Sequence, residues 1–241
     1  MTTLLRTVYQ RELFRPGLLG LFINPFFIAR RGLYRHIRAL GHAITGKTLD
    51  IGCGLQPYRD LCASEAYVGL ELDTPESRAR GRADVFYDGT RFPFSDNEFD
   101  SLLCNQVLEH VFTPEEFLRE AHRVLKPGGR CLLTVPFLWD EHEQPRDFAR
   151  YSSFGIADLV RRCGFEIEEQ HKSVDDLRAV VQLFIAYVHK KTVTRYTLVN
   201  ILITAVLMAP CTIAGGFLGW ILPRNEDLYL DNILLFRKPH A

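Results

Sequence analysis

From Lys47 to about Phe165, short β-branched or apolar runs alternate with longer stretches whose apolar positions recur at helical spacing, the pattern of a parallel sheet covered by helices. Residues 48–51, 67–72, 83–87, 99–105 and 130–135 predict five strands, each closing in a polar or glycine-rich turn. Between the fourth and fifth, Thr113 and Glu116 stand at capping-box spacing, Pro114 takes the first helical position, and Phe117, Leu118, Ala121, Val124 and Leu125 share one face. Lys126-Pro127-Gly128-Gly129 is expected to stop that helix. A helix over 153–163 closed by Gly164, a sixth strand over 165–171 and a seventh over 228–236 complete the expectation: an α/β, doubly wound, seven-stranded sheet. Ligands of such a sheet gather beyond the carboxyl ends of its strands.

The pattern breaks before the last strand. Residues 198–222 carry no charge and are long enough to span a bilayer, yet Pro210, Gly215, Gly216 and Gly219 interrupt them. If 228–236 completes the sheet, both ends of this insertion stay on one side of a membrane, which predicts a bent helical pair dipping into one leaflet or two helices covering the substrate site. Lys190, Lys191 and Arg195 precede the run and Arg224 follows it. The first forty residues hold Arg6, Arg11, Arg15, Arg30, Arg31, Arg35 and Arg38 against Glu12, around an apolar stretch at 18–27. The expected organisation is a basic N-terminal helical extension (1–45), a core (46–174), a hydrophobic helical insertion (175–227) and a last strand with its tail (228–241). Cations flanking apolar surface predict a peripheral or monotopic protein on anionic lipid, with a lid or dimer contact as the alternative.

Composition narrows the class. The 241 residues are 47% hydrophobic and 12% aromatic, with 29 basic and 29 acidic side chains, which fits one folded domain and excludes a disordered chain. A neutral chain without an Asn/Asp-Pro-Pro-Tyr signature gives no expectation of nucleic-acid binding. The six cysteines are scattered, with neither a CxxC pair nor a His/Cys cluster at zinc spacing, so the expectation is a reducing cytoplasm and no metal.

Chemistry concentrates first in Leu49-Asp50-Ile51-Gly52-Cys53-Gly54, a buried strand entering a glycine turn where backbone can approach a ligand. Glu71, nineteen residues after Gly52, stands where a carboxylate can accept from both hydroxyls of a ribose. Pro57 replaces the third glycine of the dinucleotide fingerprint, which favours an adenosine ligand without a pyrophosphate over an oxidoreductase cofactor.

With these residues the chain, from about 48 to 165, resembles the class I S-adenosylmethionine-dependent methyltransferases, which have a Rossmann-like fold. Residues 49–54 resemble the first motif, and Val68-Gly69-Leu70-Glu71 the acidic second-strand motif. Asp88-Gly89 with Phe92-Pro93-Phe94 resembles the adenine-side loop. Phe99-Asp100 with Val107-Leu108-Glu109-His110-Val111 resembles the fourth-strand motif, and Leu125-Lys126-Pro127-Gly128-Gly129 the turn into the fifth strand. The resemblance implies S-adenosylmethionine as cofactor, with Gly52 and Gly54 at its methionine part, Glu71 at the ribose, Asp88 and Gly89 at the adenine, and Asp50, Asn105 and Gln106 near the amino-acid moiety and sulfonium. Leu55-Gln56-Pro57-Tyr58 departs from the common glycine here and is similar to a subgroup of bacterial sugar- and lipid-cluster methyltransferases.

The run from Pro136 through Tyr151 follows the fifth strand and holds Phe137, Trp139, His142, four acids and two arginines, an unusual density for a connector. For a hydroxyl acceptor His142 is the expected base, its ordinary pKa lying near neutrality, with Glu141 or Asp147 orienting it. His110 is expected to be structural. The function expected is methyl transfer, with O-methylation favoured, to a small or lipid-linked acceptor. The contrasting reading is a non-catalytic methyltransferase-like scaffold.

Overall fold

The computed structural model describes residues 3–240, with side chains from Thr7 onward, so Arg6 of the basic segment lies outside the described side chains. In chain order the elements are α1 (Thr3–Phe14), α2 (Gly20–Ile23), α3 (Phe27–Leu40), β1 (Thr45–Ile51), β2 (Ala63–Leu72), α4 (Pro75–Arg80), β3 (Val85–Tyr87), β4 (Phe99–Asn105), α5 (Pro114–Val124), β5 (Leu125–Pro136), α6 (Ser153–Arg162), β6 (Glu166–Ser173), α7 (Leu177–Thr192), α8 (Thr197–Ile203), α9 (Ala209–Ile221) and β7 (Asp231–Arg237). The seven strands lie in the order β3-β2-β1-β4-β5-β7-β6. Strands β1 to β5 pair in parallel, with Asp50 opposite both Gly69 and Leu103, and Asn105 opposite Thr134. β7 runs against β5: Gly128 N at one end donates to Lys238 O (2.8 Å), and Leu138 N at the other donates to Leu230 O (3.1 Å). The sheet is therefore mixed.

Parallel strands covered on both faces need apolar side chains on both, and Leu49, Ile51, Leu102, Leu103, Leu132 and Leu133 are all buried. α5 contributes Phe117, Leu118, Ala121 and Val124 to this core. Its expected capping box does not form. Thr113 sits at φ −113°, ψ 73°, away from the extended geometry that aims an N-cap hydroxyl at the first free amides, and its side chain makes no cap bond. The 126–129 stop also differs from expectation, since β5 already begins at Leu125 and absorbs it.

The chain divides into two compact units, one of residues 36–137, 141–171 and 232–241, the other of 1–35, 138–140 and 172–231. The second joins the N-terminal segment and the hydrophobic insertion. Within it, buried Gln182 of α7 accepts from Ala29 N (3.1 Å) and donates to Pro25 O (3.0 Å), so a polar residue inside the unit is satisfied on both sides. The insertion holds two helices, α7 and a long one, and the uncharged run is not itself broken into a pair: one helix runs from Thr197 to Ile221, with a single π-helical turn over Thr204–Met208 just before Pro210. Proline lacks the amide hydrogen and crowds the carbonyl four residues back, and a π turn relieves both demands without breaking the helix. The glycines serve packing. A Cβ on Gly215 would lie 2.7 Å from Val181 of α7, so glycine lets α9 and α7 approach closely.

Candidate cofactor and acceptor site

The residues expected at a cofactor lie at the carboxyl ends of β1, β2, β3 and β4, all within the sheet unit. β1 ends in a turn where Gly52 and Gly54 take φ +67° and +51°, a region that side chains with a Cβ resist. The two glycines have different reasons. A Cβ on Gly52 would come within 2.4 Å of Val107, whereas one on Gly54 would meet nothing within 4 Å. Gly52 is thus fixed by packing against the turn after β4, and Gly54 borders open space in which a ligand can meet backbone directly.

Glu71 closes this turn from β2, its Oε2 accepting from Gly54 N (2.9 Å), with Arg80 3.8 Å away. Asp50 is buried beside it and accepts a 2.7 Å hydrogen bond from Tyr67 Oη. Burial pushes the Asp50 carboxyl up to about 7 against the opposing effect of that bond, and the Glu71 charge adds to the rise. A cationic ligand placed nearby would favour the ionised form of the Asp50 carboxyl.

Asp88 and Gly89 follow β3. Asp88 Oδ1 accepts from Thr90 Oγ1 (2.6 Å) and Thr90 N (2.9 Å), and these bonds hold its carboxyl below the usual range. Asn105 Oδ1 accepts from Thr134 Oγ1 (2.8 Å), while Gln106, at φ +55°, donates from its backbone to Thr134 O (3.0 Å). Thr134 of β5 thus braces both residues, and Tyr67 does the same for Asp50. Neither bracing residue was among those singled out from sequence, because each acts across strands that only pairing brings together.

On the acceptor side the loop splits between the units. Trp139 packs edge-on against Phe26 (5.7 Å between ring centres), and Asp140 pairs with Lys190 (2.8 Å), all within the helical unit. From Glu141 onward the loop belongs to the sheet unit, and there the backbone amides of Phe148 and Ala149 donate to Glu109 O (2.8 and 3.3 Å). Asp147 is almost wholly buried. It accepts from His142 N (2.9 Å) and clasps Arg150 through both oxygens (2.6 and 2.7 Å). The Arg150 guanidinium, helped by that amide, holds the Asp147 carboxyl at about 2. His142 Nδ1 lies 3.4 Å from Asp147 Oδ2, which makes Asp147 its neighbouring carboxylate, while Glu141 accepts from Gln144 (3.2 Å). His110 comes to the same place, its ring edge-to-face with that of His142 at 4.8 Å. Glu109 and His110 stand in a motif legible from sequence, but their closeness to His142 is not.

The turn fits an adenosine cofactor: open space at Gly54, a carboxylate at the end of β2, and acids suited to a positive charge. The family model described as "Methyltransferase domain" matches residues 49–133. The chain is 30% identical to a probable S-adenosylmethionine-dependent methyltransferase of Mycolicibacterium smegmatis, over 54% of this chain and 56% of that protein. It is 31% identical to a demethylmenaquinone methyltransferase of Paenarthrobacter aurescens, over 40% of this chain and 41% of that one. The chain thus spans about half the length of these curated relatives. Among solved structures, an S-adenosylmethionine-dependent methyltransferase from Mesorhizobium loti superposes with a TM-score of 0.54 and 14% identity, covering 87% of this chain and 99% of that chain, a likeness of fold. Motif order, strand order, glycine turn and family model agree: residues 49–133 belong to a methyltransferase domain in a sheet of class I strand order, and the M. smegmatis relative is named as dependent on S-adenosylmethionine.

Proposed function

We propose that this protein methylates a hydroxyl of a small or lipid-like acceptor at an anionic membrane surface. The observation that carries the methyl-transfer part is the Gly54–Glu71 hydrogen bond beside open space, a turn ready for a ribose and an amino-acid moiety. When bound, S-adenosylmethionine supplies an electrophilic methyl group on a positively charged sulfur. The chain's task is then to hold the acceptor at attack distance and to deal with its proton. Glu71 is assigned to the ribose hydroxyls, Gly52 and Gly54 to the methionine part, Asp88 and Gly89 to the adenine, and Asp50, Asn105 and Gln106 to the surroundings of the charge. His142 is assigned to the acceptor's proton, with Asp147 steering its ring.

The lipid-like acceptor and the membrane rest on the helical unit. The helix Thr197–Ile221 is long and apolar enough to cross a membrane and only 28% of its most apolar window is buried. Phe217, Trp220, Leu198 and Leu202 are exposed along it, as are Phe184 and Tyr187 on α7. Of the basic residues that flank this surface, Lys190 pairs with Asp140 and Arg224 with Asp175, which leaves the attraction to anionic lipid chiefly to Lys191 and Arg195. The P. aurescens relative is named for a demethylmenaquinone, which supports a lipid-like acceptor, while a second relative is named a C-methyltransferase, so the choice of a hydroxyl rests on His142 and not on these names.

Calorimetric titration with S-adenosylmethionine, S-adenosylhomocysteine and NAD tests the cofactor part. Saturable binding of the first two and none of NAD is expected, and no binding of any would overturn the reading. Cosedimentation with vesicles containing anionic phospholipid tests the membrane part; a protein that stays in the supernatant removes it.

A further inference from the structure

We propose that Glu109, His110 and His142 form a binding site for a divalent transition-metal cation of the zinc class. Each presents a donor atom, and the three atoms lie within 4.8 Å of one another. A cation about 2.1 Å from each requires separations near 3.5–4 Å, so small side-chain shifts complete the set. Two imidazoles and a carboxylate suit zinc, with coordination positions left over. The chain has no His/Cys cluster at zinc spacing, and these donors come together only in the fold. Glu109 and His110 lie in the turn after β4, and His142 lies in the loop after β5.

Four features favour a cation here. Glu109 is fully buried, and an ionised carboxylate in such a place calls for a positive charge nearby. His110 Nδ1 faces the carbonyl oxygen of Arg146, which can only accept, so Nδ1 carries a proton. Nε2 is the other ring nitrogen, 3.8 Å from Glu109 Oε1, a separation at which both atoms can reach one cation. His142 Nδ1 lies 3.4 Å from both Asp147 Oδ2 and Arg150 Nη2, so this ion pair orients the ring from its Nδ1 side, as polar partners behind a metal-binding imidazole do. Finally, the ligands are held by backbone: Phe148 and Ala149 bond to Glu109 O, and His142 N to Asp147, so the loop carrying His142 is tied to the turn carrying the other two. Asp147 neutralises Arg150, the cation nearest to His142.

What the cation would do rests on the methyl-transfer reading of this edge. A cation held by Glu109, His110 and His142 would make a bound acceptor hydroxyl more acidic, and His142 as a ligand would then serve in place of, not together with, its role as direct base. Binding itself does not depend on that reading. The test uses tag-free full-length protein stripped with a chelator, titrated with cobalt(II) followed by visible absorption and with zinc(II) by calorimetry. One saturable site without the near-ultraviolet band of cobalt–thiolate bonds is expected, weakened at least tenfold in Glu109→Gln and His142→Ala. His142→Ala lies in a part-exposed loop and guards against misfolding at the buried position. Circular dichroism and S-adenosylmethionine affinity are expected to stay unchanged in both. Absence of saturable metal binding in protein that still binds S-adenosylmethionine would overturn the metal site alone. Binding that both variants retain, or that shows thiolate ligation, would overturn it equally.

Discussion

In the sheet unit Leu49, Leu70, Leu102 and Leu133 are closed off from solvent, whereas along the helix Thr197–Ile221 Leu198 is 76% and Trp220 81% exposed. The side chains are alike, and their surroundings are opposite. Strands of a parallel sheet have helices on both faces, so every apolar residue finds a neighbour. The long helix offers one stripe, through Thr204, Met208, Thr212 and Gly215, to its own unit and leaves the rest outward. Apolar residues thus build a core in the first case and an exposed apolar surface in the second.

The sharpest way to break this contrast is a pair of truncations. Leu49→Ala is expected to lower stability by about 2–5 kcal/mol in chemical denaturation and Leu198→Ala by less than about 0.5 kcal/mol, and equal effects would erase the distinction. Next in size, Glu71→Ala removes the carboxylate proposed for the ribose and the brace on Gly54, and is expected to weaken S-adenosylmethionine binding roughly 100-fold by calorimetry with the fold retained. Gly52 is a poorer probe, because any side chain there strikes Val107. Trp220→Ala is expected to leave the thermal midpoint unchanged and to reduce partitioning into anionic vesicles roughly tenfold, since a large apolar side chain contributes on the order of 1.5–3 kcal/mol on burial.

The smallest effect is one of pH. The folded-state pKa of Asp50 is about 7, raised from 3.8, so between these values the folded state holds a proton that the unfolded state has released. Its contribution therefore makes stability fall as pH rises through this window, by about 1 kcal/mol between pH 6 and 7 at 1.36 kcal/mol per unit. Asp50→Asn is expected to flatten that part of the stability–pH curve, and an unchanged slope would assign the dependence elsewhere.

The placement of the residues expected at the cofactor was legible residue by residue. The glycine turn follows β1, Glu71 lies in the last residues of β2 and Asp88-Gly89 follows β3, so local order along the chain is also order along the sheet edge. Strand starts were less legible: β2 begins at Ala63 and not near Tyr67, because its first residues are half exposed and show no apolar run. The supports were not legible at all. Tyr67 meets Asp50 and Thr134 meets Asn105 through strand pairing, and a tyrosine or threonine in a strand carries no local sign of such a partner. The acceptor loop was noticed for its density of charge, but not that Trp139 leaves it for Phe26 or that His142 joins Glu109 and His110.

By itself the sequence determined the α/β class, the glycine turn with its acid on the next strand, and the presence of a long apolar segment, since these depend on periodicity and on residues close together along the chain. Only the tertiary structure decided that Pro210 and its glycines sit in one continuous helix, that Gly52 is held by packing while Gly54 opens to a ligand, and that two imidazoles and a buried carboxylate share one place. Those outcomes depend on contacts between segments far apart in the chain, where the partner and not the residue sets the energy.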